Sequence, residues 1–140
     1  MQAEKYLQRI KQIDVLIANK LEDHRRLVGV AEGLGGFSVG DKVQTSKNLQ
    51  QIPNAIARYT DIEREIDELN RERQAIINTI EKLPAAEYEV IYRLYAQDNS
   101  IKEIAYQKGK SYRWVRYKKE DGLKLLQDIL DGREGRCKTL

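Results

Sequence analysis

The stretch SIKEIAYQKGKSYRWV, residues 100–115, carries the signals for two short helices joined by a tight turn. Ser100 and Glu103 have the spacing of a capping box, in which each side chain accepts a hydrogen bond from the other residue's backbone amide. Gly109 is the residue type best suited to the left-handed backbone that ends a helix. Ser111 can cap the helix that follows. The pattern predicts a short helix after Ser100, a turn at Gly109 and a longer helix after Ser111.

This order of elements is typical of a helix-turn-helix unit. Ala105 is small where the two helices would cross, and Val115 is expected to be buried between them. A further helix is predicted just before them in AAEYEVIYRLYAQD, residues 85–98. Pro84 is suited to the first position of that helix and disfavours helix at the residue before it. The sequence therefore predicts a three-helix unit over residues 84–131.

Two long amphipathic helices are predicted in residues 1–83. Apolar side chains recur every three or four residues from about residue 3 to residue 30, and again after Pro53, where Arg73 interrupts a coiled-coil-like series. The glycine-rich stretch between them predicts a mobile loop near residues 33–51. A loop of that length allows the chain to reverse, so we expect an antiparallel helical hairpin. The same apolar seam could instead pair with a second subunit.

Composition predicts an all-α protein and argues against several functions. The 140 residues include only two prolines, one cysteine and one histidine, which is too few ligands for a structural zinc site. No histidine or glycine-rich phosphate loop accompanies the acidic run at residues 61–68, so we expect no metal, no cofactor and no enzymatic activity. With no apolar run of membrane-spanning length and no secretion signal, a cytoplasmic protein is expected. Residues 132–140 are expected to be a disordered tail.

Positive charge is concentrated in the C-terminal part of the chain. Residues 1–84 hold 13 basic and 13 acidic residues, whereas residues 102–119 hold seven basic residues and one acidic residue. Four aromatic residues are interleaved with them: Tyr106, Tyr112, Trp114 and Tyr117. A solvated helix face is the commoner role of such a run, but within a helix-turn-helix it indicates a surface for double-stranded DNA.

The sequence also resembles known families. IKEIAYQKGKSYRWVRYKKEDGLKLL, residues 101–126, is similar to the helix-turn-helix of sigma-factor region 4. The whole chain resembles the small regulators of Gram-positive phages and prophages in the ArpU and RinA group, through YLQRIKQIDVLIANK, VQTS before a helix, IEREID and SYRWV, over about residues 5 to 130. Lys118 and Gly122 stand where that pattern usually has an aliphatic residue and alanine. Both are expected to loosen the middle of the last helix.

The helix after Ser111 would enter the major groove with its first turns. The candidate base-reading residues, similar in position to those of region 4, are Tyr112, Arg113, Arg116 and Tyr117. The candidate phosphate contacts are Lys102, Lys108, Lys110 and Lys119. Trp114 is expected to pack on the preceding helices.

These features and the resemblance together imply a sequence-specific transcriptional regulator, an activator of phage or prophage late genes. The N-terminal hairpin would form a homodimer or bind another protein. One alternative is a sigma-like module that binds RNA polymerase. Another is a DNA-packaging protein of the small-terminase kind, which would form rings.

Overall fold

The computed structural model describes residues 2–33 and 45–132 of the chain. Its helices are α1 (Ala3–Ala31), α2 (Thr45–Ile80), α3 (Ala85–Ile91), α4 (Ile101–Lys108) and α5 (Tyr112–Leu130), and a π-helical turn (Tyr92–Ala96) continues α3. No strand occurs in these two ranges, which confirms the predicted all-α class. Residues 34–44 of the predicted mobile loop and residues 133–140 of the predicted tail lie outside the described residues.

The second long helix begins earlier than the sequence predicted. It starts at Thr45 and passes through Pro53, so the prediction of a loop is wrong for residues 45–51. A proline removes one backbone N–H and crowds the carbonyl four residues earlier, which favours ending a helix but leaves the hydrogen bonds of the other turns intact. In a helix of 36 residues those other turns outweigh the single loss.

The chain divides into two compact units. One contains the described residues of 1–13 and 72–140, and the other contains those of 14–71. The first unit therefore includes residues on both sides of Pro84 and also the first turns of α1. The candidate DNA-binding residues all belong to this first unit.

Within the unit of residues 14–71, the two helical segments run antiparallel. Lys20 Nζ lies 2.9 Å from Glu65 Oε1, and His24 Nε2 lies 2.7 Å from Glu63 Oε2, so residue numbers rise on one helix as they fall on the other. The edge of the His24 ring also packs against Tyr59, with the ring centroids 5.3 Å apart. The only histidine of the chain therefore has a structural role in the packing of α1 and α2.

In the other unit, the first turns of α1 are part of the core. Leu7, Ile10 and Ile13 are fully buried. The backbone N–H of Ala3 donates to Gln127 Oε1 on α5 at 2.8 Å, across 124 positions of sequence. Burial of three large aliphatic side chains at about 1.5–3 kcal/mol each makes this segment an important part of the unit's stability.

Arg73 connects α2 to the π-helical turn in the same unit. Its Nη2 donates to the carbonyl oxygen of Ala96 at 3.3 Å, at the last residue of that turn. Helix ends leave carbonyls without intrahelical partners, and a cationic donor there also interacts favourably with the helix dipole. The polar interruption of the apolar series at Arg73 is therefore explained by a contact with a helix end.

Candidate nucleic-acid interface

The start of α4, the turn that ends it and the start of α5 are each fixed by local backbone geometry and hydrogen bonds. The backbone N–H of Ser100 donates to Glu103 Oε1 at 2.9 Å, and that of Glu103 donates to Ser100 Oγ at 3.1 Å. Gly109 is left-handed, with φ 62° and ψ 36°. Ser111 Oγ accepts from the N–H of Trp114 at 3.0 Å. The predicted capping box, glycine turn and serine cap are thus confirmed.

The helices α3, α4 and α5 share an apolar cluster. Val90 of α3, Ile104 of α4 and Val115 of α5 are fully buried against one another. Partly buried neighbours pack on them: Leu94, Ile101, Ala105 and Trp114. Because Val115 is held inward, the opposite side of the first turns of α5 faces solvent. The packing of Trp114 on the preceding helices is confirmed.

Gly122 allows α5 to approach α3 closely. A Cβ atom placed on Gly122 would lie 2.9 Å from Ile91 Cγ1 and 3.4 Å from Glu87 Cβ. Carbon atoms in good contact are about 3.5–4.0 Å apart, so alanine would overlap Ile91. The low helix propensity of glycine predicts that Gly122 loosens α5. In the structure, the absence of a side chain at Gly122 instead lets α5 pack tightly against α3.

All four predicted base-reading residues are exposed on α5. Tyr112 and Tyr117 expose 53% and 64% of their surface, and Arg113 and Arg116 are also exposed. Together with Glu120 they line a shallow depression of about 400 Å³. Positions three and four apart share a side of a helix, which brings the two arginines and Glu120 onto one face. We call this surface, lined by residues 112, 113, 116, 117 and 120, the α5 face.

Arg116 and Glu120 form an open ion pair on the α5 face. Arg116 Nη2 lies 3.9 Å from Glu120 Oε1, and the two side chains are 59% and 64% exposed. An exposed pair at this distance contributes little to stability, at most about 1 kcal/mol. Arg116 and Glu120 can therefore give up this ion pair and bind other partners at a small cost in free energy.

Lys118 lies close to Glu87 of α3 and to two aromatic rings of α5. Its Nζ is 3.5 Å from Glu87 Oε2, and it lies 5.9 Å and 6.0 Å from the ring centroids of Trp114 and Tyr117. An ammonium group near aromatic rings is attracted by their electron density. Lys118, which the resemblance marked as unusual, thus places its charge near two rings of α5 and pairs it with Glu87 of α3, which an aliphatic residue could not do.

The four lysines predicted to contact phosphates have different surroundings. Lys102 and Lys110 are exposed, and Lys110 Nζ lies 5.3 Å from the centroid of the Trp114 ring. Lys119 is partly buried. Lys108 Nζ lies 3.0 Å from Glu89 Oε2, so its charge is already paired within the protein.

Two carboxylates that were not predicted from the sequence support this region. Glu89 accepts hydrogen bonds from Lys108 and from Arg93, and these lower the pKa of Glu89. Glu87 is buried, and this burial, together with a hydrogen bond to Asp121, raises the pKa of Glu87. A signal for Glu87 was present in the sequence, because a residue three and four positions before the apolar Val90 and Ile91 lies on the buried side of a helix.

Comparison of the chain with protein-family models, with curated proteins and with solved structures found no match. Across residues 2–33 and 45–132, none of the helices combines the length and apolar character that crossing a bilayer requires.

Proposed function

We propose that the protein is a sequence-specific DNA-binding transcriptional regulator. In this proposal α3, α4 and α5 form a helix-turn-helix domain over residues 84–131, and the first turns of α5 enter the major groove. The observation that carries the proposal is the α5 face, which presents two exposed arginines beside two exposed tyrosines on a helix whose other side is anchored by the buried Val115.

Arg113 and Arg116 are the base readers in this proposal. A guanidinium can donate two hydrogen bonds to O6 and N7 of guanine, a contact worth about 1–3 kcal/mol of discrimination. Tyr112 and Tyr117 flank them and offer apolar contact with thymine methyl groups. Lys102 and Lys110 supply contacts to phosphates, which give affinity independent of sequence. Lys119, on α5, supplies a third phosphate contact in the proposal.

Residues 1–83 have a second role in the proposal, beyond the burial of Leu7, Ile10 and Ile13 in the unit that contains α3, α4 and α5. We propose that they form an antiparallel helical hairpin that joins two copies of the chain or binds a partner such as RNA polymerase. The antiparallel ion pairs of Lys20 with Glu65 and of His24 with Glu63 support the hairpin. The resemblance to phage regulators extends the proposal to activation of phage or prophage late genes.

Selection of bound fragments from randomised duplex DNA, at one fixed salt concentration, tests the proposed function. We expect the full chain to enrich a defined motif and Arg113→Ala/Arg116→Ala to lose it while keeping its helical content. The control is Lys124→Ala, which removes a positive charge from an exposed position of α5 that lies outside both the α5 face and residues 1–83. A palindromic motif with half-sites about one turn, or 10 base pairs, apart would indicate a dimer.

Other outcomes favour other functions. Weak, salt-sensitive binding without an enriched motif would favour a sigma-like module that docks on RNA polymerase. Ring-shaped oligomers in solution would favour a DNA-packaging protein of the small-terminase kind. A motif that survives in Arg113→Ala/Arg116→Ala would show that a different surface reads the bases.

A further inference from the structure

We propose that Glu120 is a specificity-determining residue, which recognises one G·C base pair in the major groove together with Arg116. This inference rests on the proposed function, because it assigns a role to the acidic member of the α5 face. The sequence offers no reason to select Glu120, which is one acidic residue beside a strongly basic run.

Glu120 lies beside the candidate base-reading arginine Arg116 on the α5 face. It lies four residues after Arg116 on the same side of α5, and it lines the same depression as the two exposed tyrosines and Arg113. Its carboxylate is 3.9 Å from the guanidinium of Arg116 and its side chain is 64% exposed. The α5 face therefore presents a strong donor and a strong acceptor next to each other.

The major-groove edge of a G·C base pair is chemically complementary to Arg116 and Glu120. In the major groove a G·C pair presents the N7 and O6 acceptors of guanine beside the N4 amino donor of cytosine. A guanidinium only donates and an ionised carboxylate only accepts, so the pair of Arg116 and Glu120 matches that edge. An A·T pair offers no two adjacent acceptors to the guanidinium, because the amino group of adenine replaces O6.

The charge of Glu120 supplies discrimination against other sites. A carboxylate that enters the groove loses water and approaches phosphates of the same charge. Unless a base donates a hydrogen bond to the carboxylate, the hydrogen bonds that it loses with water are not replaced, and an unsatisfied acceptor costs binding free energy. Glu120 is therefore expected to weaken binding to unrelated DNA more than binding to the preferred site, which raises the ratio of the two affinities.

The test uses the full chain and compares wild type with Glu120→Gln and Glu120→Ala. Fragment selection gives the preference at each base-pair position, and titration of fluorescent duplexes at one salt concentration gives affinities for the selected site and for unrelated DNA. Glu81→Gln is the control, because it makes the same change in charge at an exposed residue beyond the end of α2.

We expect both Glu120 variants to lose at least about fivefold of the preference for G·C at one position, the lower limit for a good base contact. Both should bind unrelated DNA more tightly than the Glu81→Gln control does. Unchanged preference at every position would overturn the inference and leave the proposed function intact, provided that Arg113→Ala/Arg116→Ala still loses the motif. If wild type enriches no motif, the inference falls with the proposed function.

Discussion

Replacing Gly122 with alanine is expected to destabilise the protein, although alanine is the better helix former. The new Cβ would lie 2.9 Å from Ile91 Cγ1, and Ile91 is fully buried. Restoring ordinary carbon contact requires a shift of about 0.6 Å or more between α3 and α5. Overpacking of this kind costs about 1–3 kcal/mol. The gain in helix propensity is about 1 kcal/mol, so the net loss should be up to about 2 kcal/mol.

Gly29→Ala is the matched control for this prediction. Gly29 lies within α1, and a Cβ added there meets nothing within 4 Å, so the same substitution brings only the gain in propensity. Urea unfolding followed by circular dichroism at 222 nm would measure both variants. We expect Gly29→Ala to raise the midpoint and Gly122→Ala to lower it. Equal stabilisation by the two substitutions would refute the close contact between α3 and α5.

Two further predictions follow from charged residues near α5. Burial and the hydrogen bond with Asp121 raise the pKa of Glu87. Protonation of Glu87 therefore stabilises the folded protein, and this contribution is fully present below the unfolded pKa of Glu87 and is lost as pH rises through its folded pKa. Glu87→Gln should therefore raise the thermal midpoint at pH 7 but not near pH 4, and an unchanged midpoint at pH 7 would contradict this. Lys110→Ala should lower the slope of log affinity for DNA against log salt by about 1. Lys108→Ala should leave that slope unchanged, because Lys108 is paired with Glu89. Equal slopes for the two variants would show that the ion pair with Glu89 does not keep Lys108 from contacting DNA.

The sequence predicted the local features of α4 and α5 because their hydrogen bonds join residues close in the chain. Ser100 and Glu103 are three positions apart, as are Ser111 and Trp114, and the left-handed Gly109 follows from the backbone freedom of glycine alone. Such signals are complete within a short window of sequence. The exposure of the α5 face followed in turn from the inward position of one apolar residue in the first turns of that helix.

Features that depend on distant residues were not predicted. The role of Gly122 depends on Ile91, which lies opposite it on another helix, and helix propensity alone gives the wrong expectation. Lys108 resembles any other lysine of the basic run until Glu89 is seen beside it. The start of α2 at Thr45 was not predicted, because a proline favours the end of a helix and the turns around Pro53 that sustain the helix give no such local signal.

The contribution of the first turns of α1 to the core determines how the C-terminal helices can be isolated. A fragment that begins at Pro84 would lack Leu7, Ile10 and Ile13, which are buried in the same unit, and Ala3, whose N–H donates to Gln127. Such a fragment would expose apolar surface and would tend to aggregate. A chain cut in the segment between α1 and α2 would instead give two pieces that need each other to fold, which would make the protein suited to complementation by separately expressed halves.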